Sequence, residues 1–312
     1  MTMVNPQGPD DARLIAAQEH FHLQFDRGGF HDQFDKMPFV IAHTLARHPL
    51  LQLARIIQLA SVLPVESVEY NAGDLAVSQD PALTPRTGLS IDETLRQIEM
   101  CRSWMVLKNV EQDDDYRLLL NECLDQVQPV IDDVCPGMTA RKAFIFVSSP
   151  GAVTPYHVDF EYNFLLQIRG RKTITVFDGQ DRALFSELER ERAVSGAPRN
   201  LSYREEFAPK GRAFELAPGT GVHVPLTSPH WVRVAGDVSV SFSITFQSRT
   251  SDMCIGAHRT NALLRKIGIQ PRRVGVSGRV DACKFLAHRI VRKVESMKSK
   301  SVRERYTTTG MK

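Results

Sequence analysis

No two cysteines in this chain sit at the C-x-x-C spacing, and the five that occur, Cys101, Cys123, Cys135, Cys254 and Cys283, are odd in number and scattered. A disulfide framework and a thiolate zinc site are thereby excluded as organising features, and reduced thiols in apolar surroundings are expected. Nowhere do about eighteen apolar residues run together, which excludes a hydrophobic membrane span. The opening stretch, Met1 to Pro6, has no basic region leading into an apolar run, so a cytoplasmic protein without membrane contact is the expectation. Internal repeats and long low-complexity segments are missing too, which removes solenoids and fibres from consideration.

What is present is an ordinary globular composition, 42% apolar and 24% charged over 312 residues, enough for one large domain with appendages or for two domains. The net charge of +3 conceals an uneven distribution: residues 251–312 hold 15 Lys/Arg against 4 Asp/Glu, net +11, which leaves −8 on residues 1–250. Such a tail serves as the solvated face of a packing helix, as a dimerisation element or as a contact for an acidic partner. With no nucleic-acid motif in the chain, nucleic acid is not the expected partner.

Hydrophobic periodicity divides the chain in three. Residues 1–102 read as a helical segment, because Leu45, Leu50, Leu53, Ile56, Ile57 and Leu59 recur at spacings of three and four between Pro38 and Pro64. Ser90-Ile91-Asp92-Glu93 then offers a capped helix start before the stripe Leu95, Ile98, Cys101. From 103 to 250 the β signal dominates: a buried strand at Trp104–Leu107, a helix from Asp115 to about Val134, then strands over 144–147, 163–168, 172–177, 221–225, 231–234 and 238–246. The second and third of that last set flank Arg169-Gly170-Arg171 as the strands of a hairpin would. Short strands at this density argue for a β-sandwich or barrel preceded by helices. Residues 251–312 turn helical again, with Cys283, Leu286, Ile290 and Val294 as an apolar stripe among basic residues.

The chemistry gathers around His157-Val158-Asp159. Alternation by two places both side chains on one face of extended backbone, which suits two ligands of one metal. A third ligand must come from a distant strand, and His230 lies 73 residues on, directly before a β-rich run. Two histidines and one carboxylate cover one face of an octahedral ion and leave the opposite positions open, as non-haem iron(II) oxygenases require. Thr154 stands three residues before His157, Asn163 six after and Lys172 fifteen after. A dicarboxylic cosubstrate that chelates iron by its keto-acid end carries a second carboxylate some distance away, and an ammonium with a hydroxyl is a natural counter-group.

The stretch Thr154-Pro155-Tyr156-His157-Val158-Asp159 with Asn163 to Lys172 resembles the JmjC-type, cupin-like iron(II)- and 2-oxoglutarate-dependent oxygenases. In motif it is closest to the branch of the asparaginyl hydroxylase that inhibits the hypoxia-inducible factor. The block Ala217-Pro218-Gly219 to Pro225 and His230 resembles the family's second ligand block, and Ser239 to Ser243 its closing strand. The resemblance implies a double-stranded β-helix of cupin or jelly-roll type over 103–250, flanked by helices. It also implies His157, Asp159 and His230 as iron ligands, with Thr154, Asn163, Lys172 and Ser243 around 2-oxoglutarate. Thr220, Pro229 and Ser243 depart from the family's usual acidic residue, Trp and Asn; the triad is intact and the substrate pocket is left open.

Two rivals remain at this stage. His223 competes with His230 as third ligand, although the spacing from Pro225 favours His230. Arg233 competes with Lys172 as carboxylate anchor, although an offset of three from His230 turns it to the other face of an uninterrupted strand. Phe146 and Trp231 are candidates for the pocket wall. The expected activity is hydroxylation of a C–H bond using 2-oxoglutarate and dioxygen, on a peptide or protein side chain, with a small molecule such as an amino acid as the alternative substrate. A metal-binding regulatory protein without turnover is the alternative outside enzymology, and a homodimer through the C-terminal segment is a possible assembly.

Overall fold

The strands number twelve in the computed structural model, which describes residues 22–308, side chains of residues 81 and 295–308 excepted. They are β1 (Leu23–Gln24), β2 (Phe39–His43), β3 (Val68–Ala72), β4 (Ser103–Lys108), β5 (Thr139–Ser148), β6 (Val153–His157), β7 (Tyr162–Arg169), β8 (Lys172–Val176), β9 (Arg212–Leu216), β10 (Thr220–Val224), β11 (His230–Val234) and β12 (Ser239–Gln247). Eight form one antiparallel sheet in the order β1-β2-β10-β7-β12-β5-β4-β3, and four form a second in the order β6-β11-β8-β9.

Alternation along the strands decides what lies on each side of the larger sheet. On β12, Val240, Phe242, Ile244 and Phe246 join the main core with Tyr116, Leu120, Leu124 and Val127 of the Asp114–Ile131 helix. The intervening Ser239, Ser241, Ser243 and Thr245 are also buried, and face the second sheet. A smaller core, Leu165, Val222 and Val224 from the large sheet with Ile174, Val176, Phe214 and Val232 from the small one, closes the space between the sheets. The site is built in the polar remainder of that space.

Three expectations change. The Arg169-Gly170-Arg171 turn does not close a hairpin: β7 pairs with β10 and β12, whereas β8 pairs with β11 and β9, so the turn carries the chain from one sheet to the other. Gly170 makes this possible with φ +68°, where a Cβ would run into the Val238 carbonyl. The 38–64 stretch is α-helical only at Leu53–Val62, after short 3-10 helices at Leu45–Arg47 and Pro49–Leu51; its first part is β2, with a buried-exposed alternation that pairing to β10 imposes. Residues 1–102, expected as helical, therefore supply strands to both edges of the large sheet, because edge strands draw their stability from tertiary pairing rather than from local pattern.

The Ser90 capping box forms as read, and all five cysteines are free thiols. After β12 the chain forms helices at Arg249–Lys266 and Gly278–Thr308. Among the described residues no helix is long and apolar enough to cross a membrane.

Candidate metal centre

His157 ends β6 and His230 begins β11, and the two are direct partners across the antiparallel pair. Asp159 follows in the loop after β6. Ligand atoms of His157, Asp159 and His230 all lie within 4.8 Å of one another, and they are the only metal-competent group of histidine, cysteine and carboxylate side chains among the described residues. The ring centroids of His157 and His230 are 4.2 Å apart. The structure thus brings together the three residues that the His-x-Asp triplet and His230 pointed to.

Backbone carbonyls decide the tautomers. His157 Nδ1 lies 2.8 Å from the Pro155 oxygen and His230 Nδ1 lies 3.0 Å from the Ser228 oxygen. A carbonyl only accepts, so each Nδ1 carries the hydrogen, and it is Nε2 that holds the lone pair of the neutral ring, the form that binds a metal. Burial and the neighbouring His157 depress the pKa of His230, which keeps it neutral. Burial opposes ionisation of Asp159, but the positive charge that faces it, including the permanent charge of Arg199, outweighs burial and holds the carboxyl below its ordinary range. Arg199 donates to Asp159 Oδ1 at 3.1 Å and forms a two-pronged pair with Glu161. Oδ2 remains on the side of His230 Nε2, at 3.8 Å. Nothing in the local sequence marks Arg199; only the close approach of Asn200 to His157 brings that segment to the site.

The rivals separate cleanly. His223 is on β10, whose Val222 and Val224 face the second sheet, so its own side chain turns the other way into Phe34, Phe39 and Phe164. Burial there pushes its pKa down to about 3. Arg233 is exposed over the Trp231 ring, and Trp231 itself packs near Tyr203 on the outer face of the small sheet, away from the pocket. Phe146, by contrast, lines the cleft.

Lys172 starts β8, on the same face as Ile174 and Val176. It is 5% exposed, finds no acceptor for its ammonium among the described residues, and burial lowers its pKa to about 7. Asn163 is buried on β7 and accepts a 2.8 Å hydrogen bond from Ser243 Oγ. Beyond them Gln167 donates to Ser239 Oγ and accepts from Ser241 Oγ, a buried polar trio that no signature marks in the sequence. Thr154 opens on a cleft of about 470 Å³ that reaches His157 and Asp159. The cleft has an apolar wall of Trp104, Val106, Phe144 and Phe146 and a charged rim that includes Glu69, Lys108, Lys142, Glu161 and Arg199.

No protein-family profile matches the chain, and no curated protein matches it in sequence. Solved structures do match. An X-ray structure of ycfD from E. coli superposes with TM-score 0.51 at 16% identity, covering 87% of this chain and 68% of that one. YcfD, described as a ribosomal oxygenase from Escherichia coli, in complex with cobalt and 2-oxoglutarate gives 0.47 at 15% identity, covering 86% and 67%. An oxidoreductase of the 2OG-Fe(II) oxygenase family from Burkholderia pseudomallei gives 0.43 at 14%, covering 72% and 92%. At such low identity the first of these establishes a shared fold: antiparallel sheets with flanking helices, common to this chain and to ycfD.

Proposed function

We propose that this chain is an iron(II)- and 2-oxoglutarate-dependent oxygenase of the JmjC type, with the strands of residues 103–250 forming a double-stranded β-helix. The observation that carries the reading is a buried ammonium without a counter-ion, Lys172, facing the same inter-sheet space as a two-histidine, one-carboxylate triad. A structural metal site has no use for such a group; a dicarboxylate chelated at the triad supplies its missing anion. His230 faces Val176 and Lys172 faces Val234 on the same strand pair, which puts their backbones about 13 Å apart along the strand. An extended lysine side chain covers a large part of that gap.

Bound at this site, iron(II) supplies activation of dioxygen, with oxidative decarboxylation of 2-oxoglutarate to succinate and carbon dioxide and transfer of oxygen to a C–H bond. His157 and His230 present Nε2 because backbone carbonyls occupy their Nδ1 hydrogens. Arg199 holds one Asp159 oxygen and leaves the other free to ligate. Thr154 and Lys172 bind the distal carboxylate, Asn163 and Ser243 line its path, and the wall of Trp104, Phe144 and Phe146 excludes water from the cleft. A peptide or protein side chain is the substrate class favoured by the resemblance to the asparaginyl hydroxylases; an amino acid or other small molecule is the second reading.

The helix Gly278–Thr308 of the basic C-terminal segment is the element through which a homodimer assembles, since Leu286, Ile290 and Val294 are 58%, 56% and 46% exposed along one stripe. The free thiols fit a cytoplasmic setting. The test is anaerobic loading with iron(II) followed by succinate formation from 2-oxoglutarate on admitting oxygen. Oxygen-dependent succinate that Asp159→Ala abolishes is the expected result; its absence from the wild-type protein with a range of peptides and amino acids, together with no charge-transfer absorption from an iron–2-oxoglutarate complex, would overturn the proposal.

A further inference from the structure

Arg190 is the largest of the fully buried side chains, 2% exposed, and it forms no ion pair among the described residues. A guanidinium in that position is held by neutral acceptors. Its Nε donates to the Phe185 carbonyl at 3.1 Å, one terminal nitrogen donates to the Gly179 carbonyl, and the other donates to Thr227 Oγ1 at 3.2 Å. The Phe185 ring lies 4.2 Å beneath the charge. The residue is placed by the Glu187–Val194 helix, whose start is locked by a capping box between Ser186 and Glu189.

Thr227 is the unusual partner. It has φ +59°, a left-handed conformation that a β-branched residue adopts only when its surroundings impose it. The loop it belongs to, Pro225–Pro229, touches two of the three ligands. The Thr227 amide donates to the Asp159 carbonyl at 3.2 Å, and the Ser228 carbonyl accepts the hydrogen of His230 Nδ1. The far side of the loop is closed by Gly179, where a Cβ would stand 2.6 Å from the Thr227 carbonyl oxygen. The same guanidinium therefore ties Gly179 and Thr227 together at the point where the loop is most constrained.

We propose that Arg190 is a positioning residue of the metal centre, fixing Thr227 and through it the loop that sets the Asp159 backbone and the tautomer of His230. This rests on the reading of His157, Asp159 and His230 as metal ligands. Only a planar fork with donors in three directions reaches all three acceptors at once, so lysine does not substitute. Groups one layer behind metal ligands typically alter affinity by about 10- to 100-fold.

The experiment is a cobalt(II) titration of the full chain, followed by the d–d absorption, with no cosubstrate or turnover involved. Wild type is expected to bind with a spectrum that Asp159→Ala abolishes. Arg190→Gln is expected to weaken cobalt(II) binding by at least about tenfold and to change the band shape, and Arg190→Lys not to restore it. Thr227→Ala removes the acceptor alone and is expected to move in the same direction, with no further loss in the double variant. Ser149→Ala, which breaks a buried hydrogen-bonded group remote from the ligands, is expected to lower the melting temperature and leave cobalt(II) affinity unchanged. Binding by Arg190→Gln and Thr227→Ala within about twofold of wild type would overturn the proposal, and Thr227→Ala alone decides it if Arg190→Gln does not fold. Failure of wild type to bind cobalt(II) in an Asp159-dependent manner would instead bring down the metal-site reading itself.

Discussion

Replacing Lys172 by methionine removes one charge at nearly constant shape and separates two consequences of a buried cation. In the folded, ligand-free chain the ammonium is desolvated and its pKa falls from 10.5 to about 7. In the unfolded chain it titrates near 10.4. Between about pH 7 and 10 the unfolded state thus binds more protons than the folded one, and stability rises with pH by about 1.4 kcal/mol per unit from this group alone. At and below about pH 7 the whole penalty, on the order of 5 kcal/mol from the size of the shift, acts against the fold. Lys172→Met is expected to stabilise the ligand-free protein near neutral pH by a few kcal/mol, roughly, and to remove this component of the pH slope, read as the difference between wild-type and variant urea unfolding at several pH values. With 2-oxoglutarate the order reverses. A carboxylate beside the ammonium restores its charge, so binding at about pH 8 takes up roughly 0.9 of a proton when the free-state pKa is about 7. Calorimetry of anaerobic, manganese-loaded protein in buffers of different ionisation enthalpy measures that uptake. The variant is expected to bind about 100-fold more weakly and without it, in line with the ~3 kcal/mol lost when a buried charge pair loses one member. Equal affinity of wild type and variant, or wild-type binding with no proton uptake, would refute the assignment of Lys172 as the anchor.

Three further outcomes follow from the geometry. His223→Phe is expected to keep metal binding, since the ring sits among Phe34, Phe39 and Phe164 with its Nε2 unpartnered, whereas His230→Ala is expected to abolish it; cobalt(II) absorption separates the two. Ser243→Ala leaves Asn163 Oδ1 without its donor, and an increase in the apparent KM for 2-oxoglutarate of about three- to tenfold with little change in kcat is expected, the effect of one buried hydrogen bond. Leu286→Glu with Ile290→Glu is expected to give a monomer by light scattering, with little change in protomer melting temperature because both side chains are already exposed.

The candidate site was more legible in the sequence than the fold around it. His157, Asp159 and Lys172 belong to one stretch of chain, and side-chain alternation over a few residues is a local property. The strand pattern of β10 to β12 was legible for the same reason, as was the capping box at Ser90. The strands β2 and β3 were not, since their pairing with β10 and β4 is long-range and their own residues carry weak period-two signals. Arg199 and Arg190 escaped notice because a guanidinium means nothing until the acceptors beside it are known.

By itself the sequence determined which residues carry imidazole, carboxylate and ammonium, and that His157, Asp159 and Lys172 stand at close spacings on one stretch of chain. Tertiary structure decided the rest. Antiparallel register sets His230 opposite His157, while alternation on β10 turns His223 into an aromatic cage. Tertiary structure also placed β7 and β8 in different sheets, so that Asn163 and Lys172 approach the centre from opposite walls. A turn of three residues looks the same in sequence whether it closes a hairpin or crosses between sheets, and only the competition among strands for hydrogen-bonding partners tells the two apart.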